Sequence, residues 1–133
     1  MFIRLTDYNF NKSLIEHKRF IWLVYFDEQH DEKYWTQIKP TWSEKSTRLV
    51  EAFSEVFPNV VFAESIISEV RETLHGFNIS LDDLWDEGSK NYRPIIISIE
   101  KGWIKNTSYG KCYCDETFTE MIFDVYPELI PKQ

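Results

Sequence analysis

A chain of 133 residues, 43% of them hydrophobic and 17% aromatic, is long enough for one domain that buries roughly two thirds of its unfolded surface. Its net charge of −7 and isoelectric point near 5.0 exclude a nucleic-acid-binding surface, which needs lysine and arginine against phosphate. The acidity suits solubility and can steer a basic protein partner.

No apolar run approaches the roughly 20 residues that cross a bilayer, and MFIRLTDYNF has no apolar core behind a basic start, as a signal peptide would. The two cysteines, Cys112 and Cys114, are too close in sequence to staple distant segments. The expected compartment is a reducing cytoplasm.

Phe2–Leu5 reads as a short apolar strand. Thr6 or Asp7 can cap the helix that follows, which takes its apolar stripe from Phe10, Leu14 and Ile15. Phe20 to Phe26 is a run of seven apolar or aromatic residues, a strand buried on both faces at the centre of a sheet. A charged loop, Asp27–Lys33, leads into a long amphipathic helix that begins near Asp31 or Glu32 and is kinked by Pro40. Trp35, Ile38, Trp42, Leu49 and Phe53 lie along one side of it, and it ends near Pro58.

Asn59–Ile67 is the next strand, and Val70–Phe77 a short helix closed by Gly76. Ser80–Tyr92 is acidic and turn-rich and reads as a loop. Arg93–Glu100 is a strand entered through Pro94, turned by Lys101-Gly102 into a hairpin with Trp103–Tyr109. Asp115 caps a last helix whose apolar face is Phe118, Met121, Ile122 and Val125, ending at Pro127. The order βαβαβαββα predicts an α/β fold, a three-layer α/β/α sandwich around a mixed sheet. Residues 1–133 form one domain with an acidic loop insertion at about 80–92.

This order and five local features resemble thioredoxin over nearly the whole chain: Pro40 in the long helix, His75-Gly76-Phe77 at the end of the third, Pro94 before a strand, the turn Glu100-Lys101-Gly102, and Tyr109-Gly110 after the last strand. The resemblance implies a cis peptide bond at Pro94. It also places Glu32 and Trp35 where thioredoxins carry Cys-x-x-Cys, and Tyr25 at or near their buried acid. Disulfide exchange needs an attacking thiolate and a resolving thiol, and a carboxylate and an indole supply neither. The chain departs again between Phe77 and Arg93, a span of 17 residues, far longer than the thioredoxin connection.

In the thioredoxin fold this span, the loop before the long helix and the bend before the last helix share the substrate-docking end. Asp27, Glu28, Asp31, Glu32, Asp82, Asp83, Asp86, Glu87, Asp115 and Glu116 place 10 of the 22 acids in those segments. With His30 and the aromatic Trp85 and Tyr92, they form the expected partner-binding surface; the alternative is a set of solvated loops.

Cys112 and Cys114 are a thiol pair at the same end. Their i, i+2 spacing makes a strained disulfide, and small side chains near a helix start explain them as well. With His30 they fall one short of the four ligands that a structural metal needs, so no metal and no cofactor is expected. His17 and His75 read as surface residues of helices. Nothing in the sequence positions or desolvates the paired acids for acid–base work. The expectation is a redox-inactive, non-catalytic protein that binds a basic protein through its acidic end. Its most concrete form is an immunity or antitoxin protein against a toxin such as a nuclease. The alternatives are a thioredoxin-like maturation chaperone for a precursor protein, and an atypical thiol oxidoreductase using Cys112 and Cys114.

Overall fold

The computed structural model describes residues 2–25, 42–87, 91–92, 94–109 and 115–131. The charged loop, the start of the long helix with Pro40, and the cysteine bend lie outside them. The central strand, β2 (Arg19–Tyr25), sets the architecture. Phe20 to Val24 are five consecutive residues at most 1% exposed, so successive side chains enter opposite apolar layers. Phe20, Trp22 and Val24 join one core cluster, and Ile21 and Leu23 the other.

The sheet around β2 is mixed, as expected. β1 (Phe2–Arg4) and β2 both run parallel to β3 (Phe62–Ile66). On the other side of β2, β6 (Ile95–Glu100) is antiparallel and pairs in turn with β7 (Trp103–Tyr109), giving the order β1-β3-β2-β6-β7. On one face α1 (Phe10–Glu16) and α3 (Arg71–Gly76) contribute Phe10 and Leu74. On the other, α2 (Trp42–Val56) and α4 (Asp115–Val125) contribute Val50, Phe118, Met121, Ile122 and Val125. This is the three-layer α/β/α sandwich.

The layers are tied by aromatic contacts and satisfied polar groups. Phe10 lies 4.8 Å from Trp22 and 5.7 Å from Phe77, ring centre to ring centre, and Phe53 stacks on Phe118 at 5.6 Å. The buried Trp22 indole donates to Ser65 Oγ at 2.8 Å, and that hydroxyl donates to the Leu5 carbonyl at 2.7 Å. A polar relay therefore crosses the core with its groups paired, as burial demands. At the C-terminus Tyr126 Oη donates to the Arg19 carbonyl at 3.0 Å and accepts from Val61 N at 3.1 Å. The Arg19 guanidinium sits 4.1 Å over the Tyr126 ring and pairs with Glu128. Burial raises the Tyr126 phenol, and the bond from Arg19 lowers the Glu128 carboxyl.

Several boundaries differ from the sequence reading. Ile15, expected on the buried stripe of α1, is 82% exposed, because a helix of seven residues presents only Phe10, Ser13 and the edge of Leu14 inward. Residues 59–61 precede β3: Val60 N donates to Phe57 O in a turn, and Tyr126 takes the N–H of Val61. Helix α3 does not use Gly76 as its left-handed terminator. Asn78 takes that conformation at φ 61°, while Asn78 N donates to His75 O and Ile79 N to Leu74 O, both at 2.9 Å. This bond pair, with Leu74 and Ile79 both in the core, is a Schellman motif whose left-handed residue lies two positions beyond the one expected.

The β6–β7 turn follows the expectation. Glu100 pairs with Trp103 across Lys101 and Gly102 at φ 54° and 81°, a two-residue turn whose twist matches the strands. Further along, Ser98 pairs with Asn106 and Ile99 with Ile104, leaving Lys105 as a bulge on the edge strand. Gly76 and Gly102 should therefore respond oppositely to alanine. Neither has an atom within 4 Å of an added Cβ, but only Gly102 holds a positive φ. Gly76→Ala is expected to stabilise by about 0.5–1 kcal/mol and Gly102→Ala to destabilise by about 1 kcal/mol or more, as read by urea unfolding.

Candidate functional site

The register brings one set of chain ends together. Tyr25, the last residue of β2, pairs with Ile66, the last of β3; Val24 pairs with Ile95, the first of β6, and Ile95 with Tyr109, the last of β7. The three acid-bearing connections of the sequence therefore meet the sheet at a single end, the carboxyl end of its parallel strands, where open α/β sheets place their sites. Of the expected site residues, Asp27, Glu28, His30, Asp31, Glu32, Cys112 and Cys114 lie outside the described residues. So does Arg93, on which the peptide geometry of Pro94 depends; Pro94 itself is buried immediately before β6.

The insertion is not the loop that its composition predicts. Ser80 starts a 3-10 turn over Leu81–Leu84, its Oγ accepting from Asp82 N and its carbonyl from Asp83 N, each at 3.2 Å. The next residues form a small antiparallel ribbon of β4 (Trp85–Asp86) and β5 (Asn91–Tyr92), with Trp85 opposite Tyr92 and Asp86 opposite Asn91. Turn-forming side chains at Ser80 and Asp83 and two aromatics ready to pair across strands were the available signals; the density of charge obscured them.

Asp82, Asp83 and Glu87 are exposed, so three acids sit within one short structured segment. Asp82 lines a shallow groove together with Arg71 and His75 of α3 and the buried Leu74 and Ile79. Among the described residues no group of three or more His, Cys, Asp or Glu is arranged to hold a metal ion.

A residue that the sequence reading assigned elsewhere fixes this region. Asp7 does not cap α1. Its carboxylate reaches α3, accepting from Thr73 N at 2.9 Å, Thr73 Oγ1 at 2.7 Å and, more weakly, Glu72 N at 3.4 Å. It clamps the first turn of the helix from which the insertion departs. Near α1, Asn9 does the local work instead, accepting from Thr6 N at 2.7 Å and donating to Arg4 O at 2.9 Å. Desolvation pushes the Asp7 carboxyl up, but the bonds from Thr73 and Glu72 outweigh it and leave it below the ordinary value.

No family model and no curated protein sequence matches this chain. Solved structures do. A Schistosoma mansoni thioredoxin pre-protein aligns at 20% identity and a TM-score of 0.60, over 91% of this chain and 94% of its own. Fasciola hepatica thioredoxin aligns at 17% and 0.61, over 92% and 96%, and Chlamydomonas reinhardtii thioredoxin f2 at 10% and 0.64, over 99% and 100%. Identities this low establish the fold alone, and that fold is thioredoxin-like. The sequence itself contains no Cys-x-x-Cys.

The Asp7 clamp makes a prediction about pH. Because its native pKa is depressed, Asp7 stabilises fully above its unfolded pKa, and the contribution fades as pH falls through the native value. Asp7→Ala is expected to cost about 1 kcal/mol at neutral pH, the typical worth of a helix cap, and progressively less as acid protonates the wild-type carboxyl. Urea unfolding at a series of pH values checks this; a cost independent of pH would contradict it.

Proposed function

We propose that this chain is a thioredoxin-like scaffold without dithiol catalysis, and that it binds a basic protein through the acidic carboxyl end of its sheet. The observation that supports the proposal is that the strand ends from which the three acid-bearing connections leave or enter lie at one end of the sheet, together with the exposure of Asp82, Asp83 and Glu87 in one of those connections. Its most concrete form is an immunity or antitoxin protein that caps a basic toxin such as a nuclease. Opposite charge speeds such an encounter, and acidic side chains can occupy a cleft built for phosphate. Chemistry supports the loss of catalysis at the usual place: the resemblance, counted back from Pro40, puts Glu32 and Trp35 where thioredoxins carry their two cysteines.

A second reading keeps the redox activity that the neighbours' name implies and moves it to Cys112 and Cys114. It is favoured by those two thiols lying just before α4, since a helix start lowers a thiol's pKa. In that case the pair would reduce a substrate disulfide and become oxidised in its place, and serine at either position would abolish the exchange.

The test is affinity capture at low salt with the tagged full chain, eluted by a salt gradient. The proposal expects one basic protein at a fixed ratio, released by salt. Reversing Asp82, Asp83 and Glu87 to lysine should weaken its binding by about 100-fold or more. Salt-insensitive binding, or binding indifferent to the reversal, would exclude the acidic end. A spread of unfolded precursors would favour the chaperone, and insulin reduction lost on Cys112→Ser would establish the oxidoreductase.

A further inference from the structure

Helix α3 borders a second groove. Arg71, Leu74 and His75 line the one that Asp82 shares, whereas Glu72 and Gly76, on the opposite face of the helix, line a space of about 400 Å³ between α3, α1 and the β6–β7 turn. The apolar part of its lining is largely aromatic. Phe10 is buried and Phe77 half-buried, with their ring centres 5.7 Å apart, and Phe77 lies 6.3 Å from the Trp22 ring. The half-buried Leu14 adds an aliphatic side.

The charged part is negative. Asp7 and Glu72 both line the groove, and no lysine, arginine or histidine does. The Asp7 carboxyl lies below its ordinary value and is ionised at neutral pH. Its Oδ1 takes both bonds from Thr73, whereas Oδ2 has only the long contact from Glu72 N at 3.4 Å and can accept from a further donor. Among the described residues Glu72 forms no ion pair, and Lys12 of α1 is engaged by Glu16. Gly76 keeps the space open. A Cβ built there meets nothing within 4 Å, and its φ lies outside the left-handed range, so neither packing nor backbone conformation requires glycine. Glycine in a helix gives up stability relative to alanine; its bareness here leaves one side of the groove unfilled.

We propose that this groove binds a small organic ammonium compound with an aromatic body, the ring packing against Phe10, Leu14 and Phe77 and the ammonium donating to Asp7 and Glu72. Aromatic side chains attract both rings and cations. Beside an apolar surface that partly excludes water, a carboxylate attracts a cation more strongly than in open solvent. A lysine side chain of a partner protein carries the same cation, but its thin aliphatic stem leaves most of a space of about 400 Å³ empty. A groove holds its ligand less tightly than a closed cavity, and the dissociation constant is expected at about 1 mM. The site uses the face of α3 turned away from Asp82, so the inference does not rest on the basic partner proposed above.

Titration of the full chain with phenethylammonium chloride, followed by amide chemical shifts, tests it. Saturable shifts are expected at Asn11, Leu14, Glu72, Gly76 and Gly102. Gly76→Leu fills the groove and should weaken binding about tenfold or more, and Glu72→Gln removes one charge and should weaken it about threefold. Glu51→Gln, at an exposed acid of α2, should leave binding unchanged; circular dichroism checks that each variant is folded. Phenethyl alcohol, which has the same body without the charge, should bind about tenfold more weakly or worse. Shifts that do not saturate, affinity untouched by Gly76→Leu, or equal affinity for the alcohol would each overturn the proposal. Binding of Nα-acetyl-lysine methylamide as tight as that of the amine would assign the groove to a partner's lysine and overturn it as well.

Discussion

Burial of β2 on both faces is the constraint from which the rest of this structure follows. Five consecutive side chains with almost no exposed surface cannot be covered by one layer of helices, because alternate residues point in opposite directions. At about 25 cal/mol per Å² of apolar surface, leaving either face open would forfeit several kcal/mol per large side chain. Hence α1 and α3 close one side, α2 and α4 the other. The neighbouring strands complete the ladder, with β3 parallel and β6 antiparallel to β2. Even the polar groups inside obey the same demand: the Trp22 indole is accommodated at depth because Ser65 Oγ accepts its hydrogen bond and in turn donates one to the Leu5 carbonyl.

Much of this was readable from the residues. A run as apolar as Phe20–Phe26 permits few alternatives to a central strand, and Lys101-Gly102 between two strand patterns dictates a tight turn. The features that escaped were those in which a side chain serves a distant element. Asp7 lies where a cap for α1 is expected but bonds to a helix more than sixty residues later in the chain, a relation invisible to local spacing. Gly76 invited assignment as a helix terminator, yet asparagine also tolerates a left-handed backbone, and Asn78 took the position. In the insertion, charge suggested a loop because exposed acids are common in loops. A 3-10 turn exposes Asp82 and Asp83 just as fully.

The acidic surface we propose depends on the scaffold beneath it. Charges scattered over a surface attract a partner weakly and without orientation. Charges carried on structured elements at one end of a sheet present a fixed pattern, at a smaller cost in conformational freedom on binding. The Asp7 clamp at the start of α3 and the Schellman motif at its close order the helix from which the insertion departs.

The central claim is that the carboxyl end of the sheet, rather than the overall negative charge, recognises cations. Amide chemical shifts followed by NMR during titration with a short lysine peptide test it most directly. The account predicts perturbations concentrated in residues 80–92 and at the sheet ends next to Tyr25 and Tyr109, diminishing as salt is raised. Equal perturbation at the exposed acids of the helices, such as Glu51 and Glu55 of α2, would show that net charge alone is at work and would contradict the account.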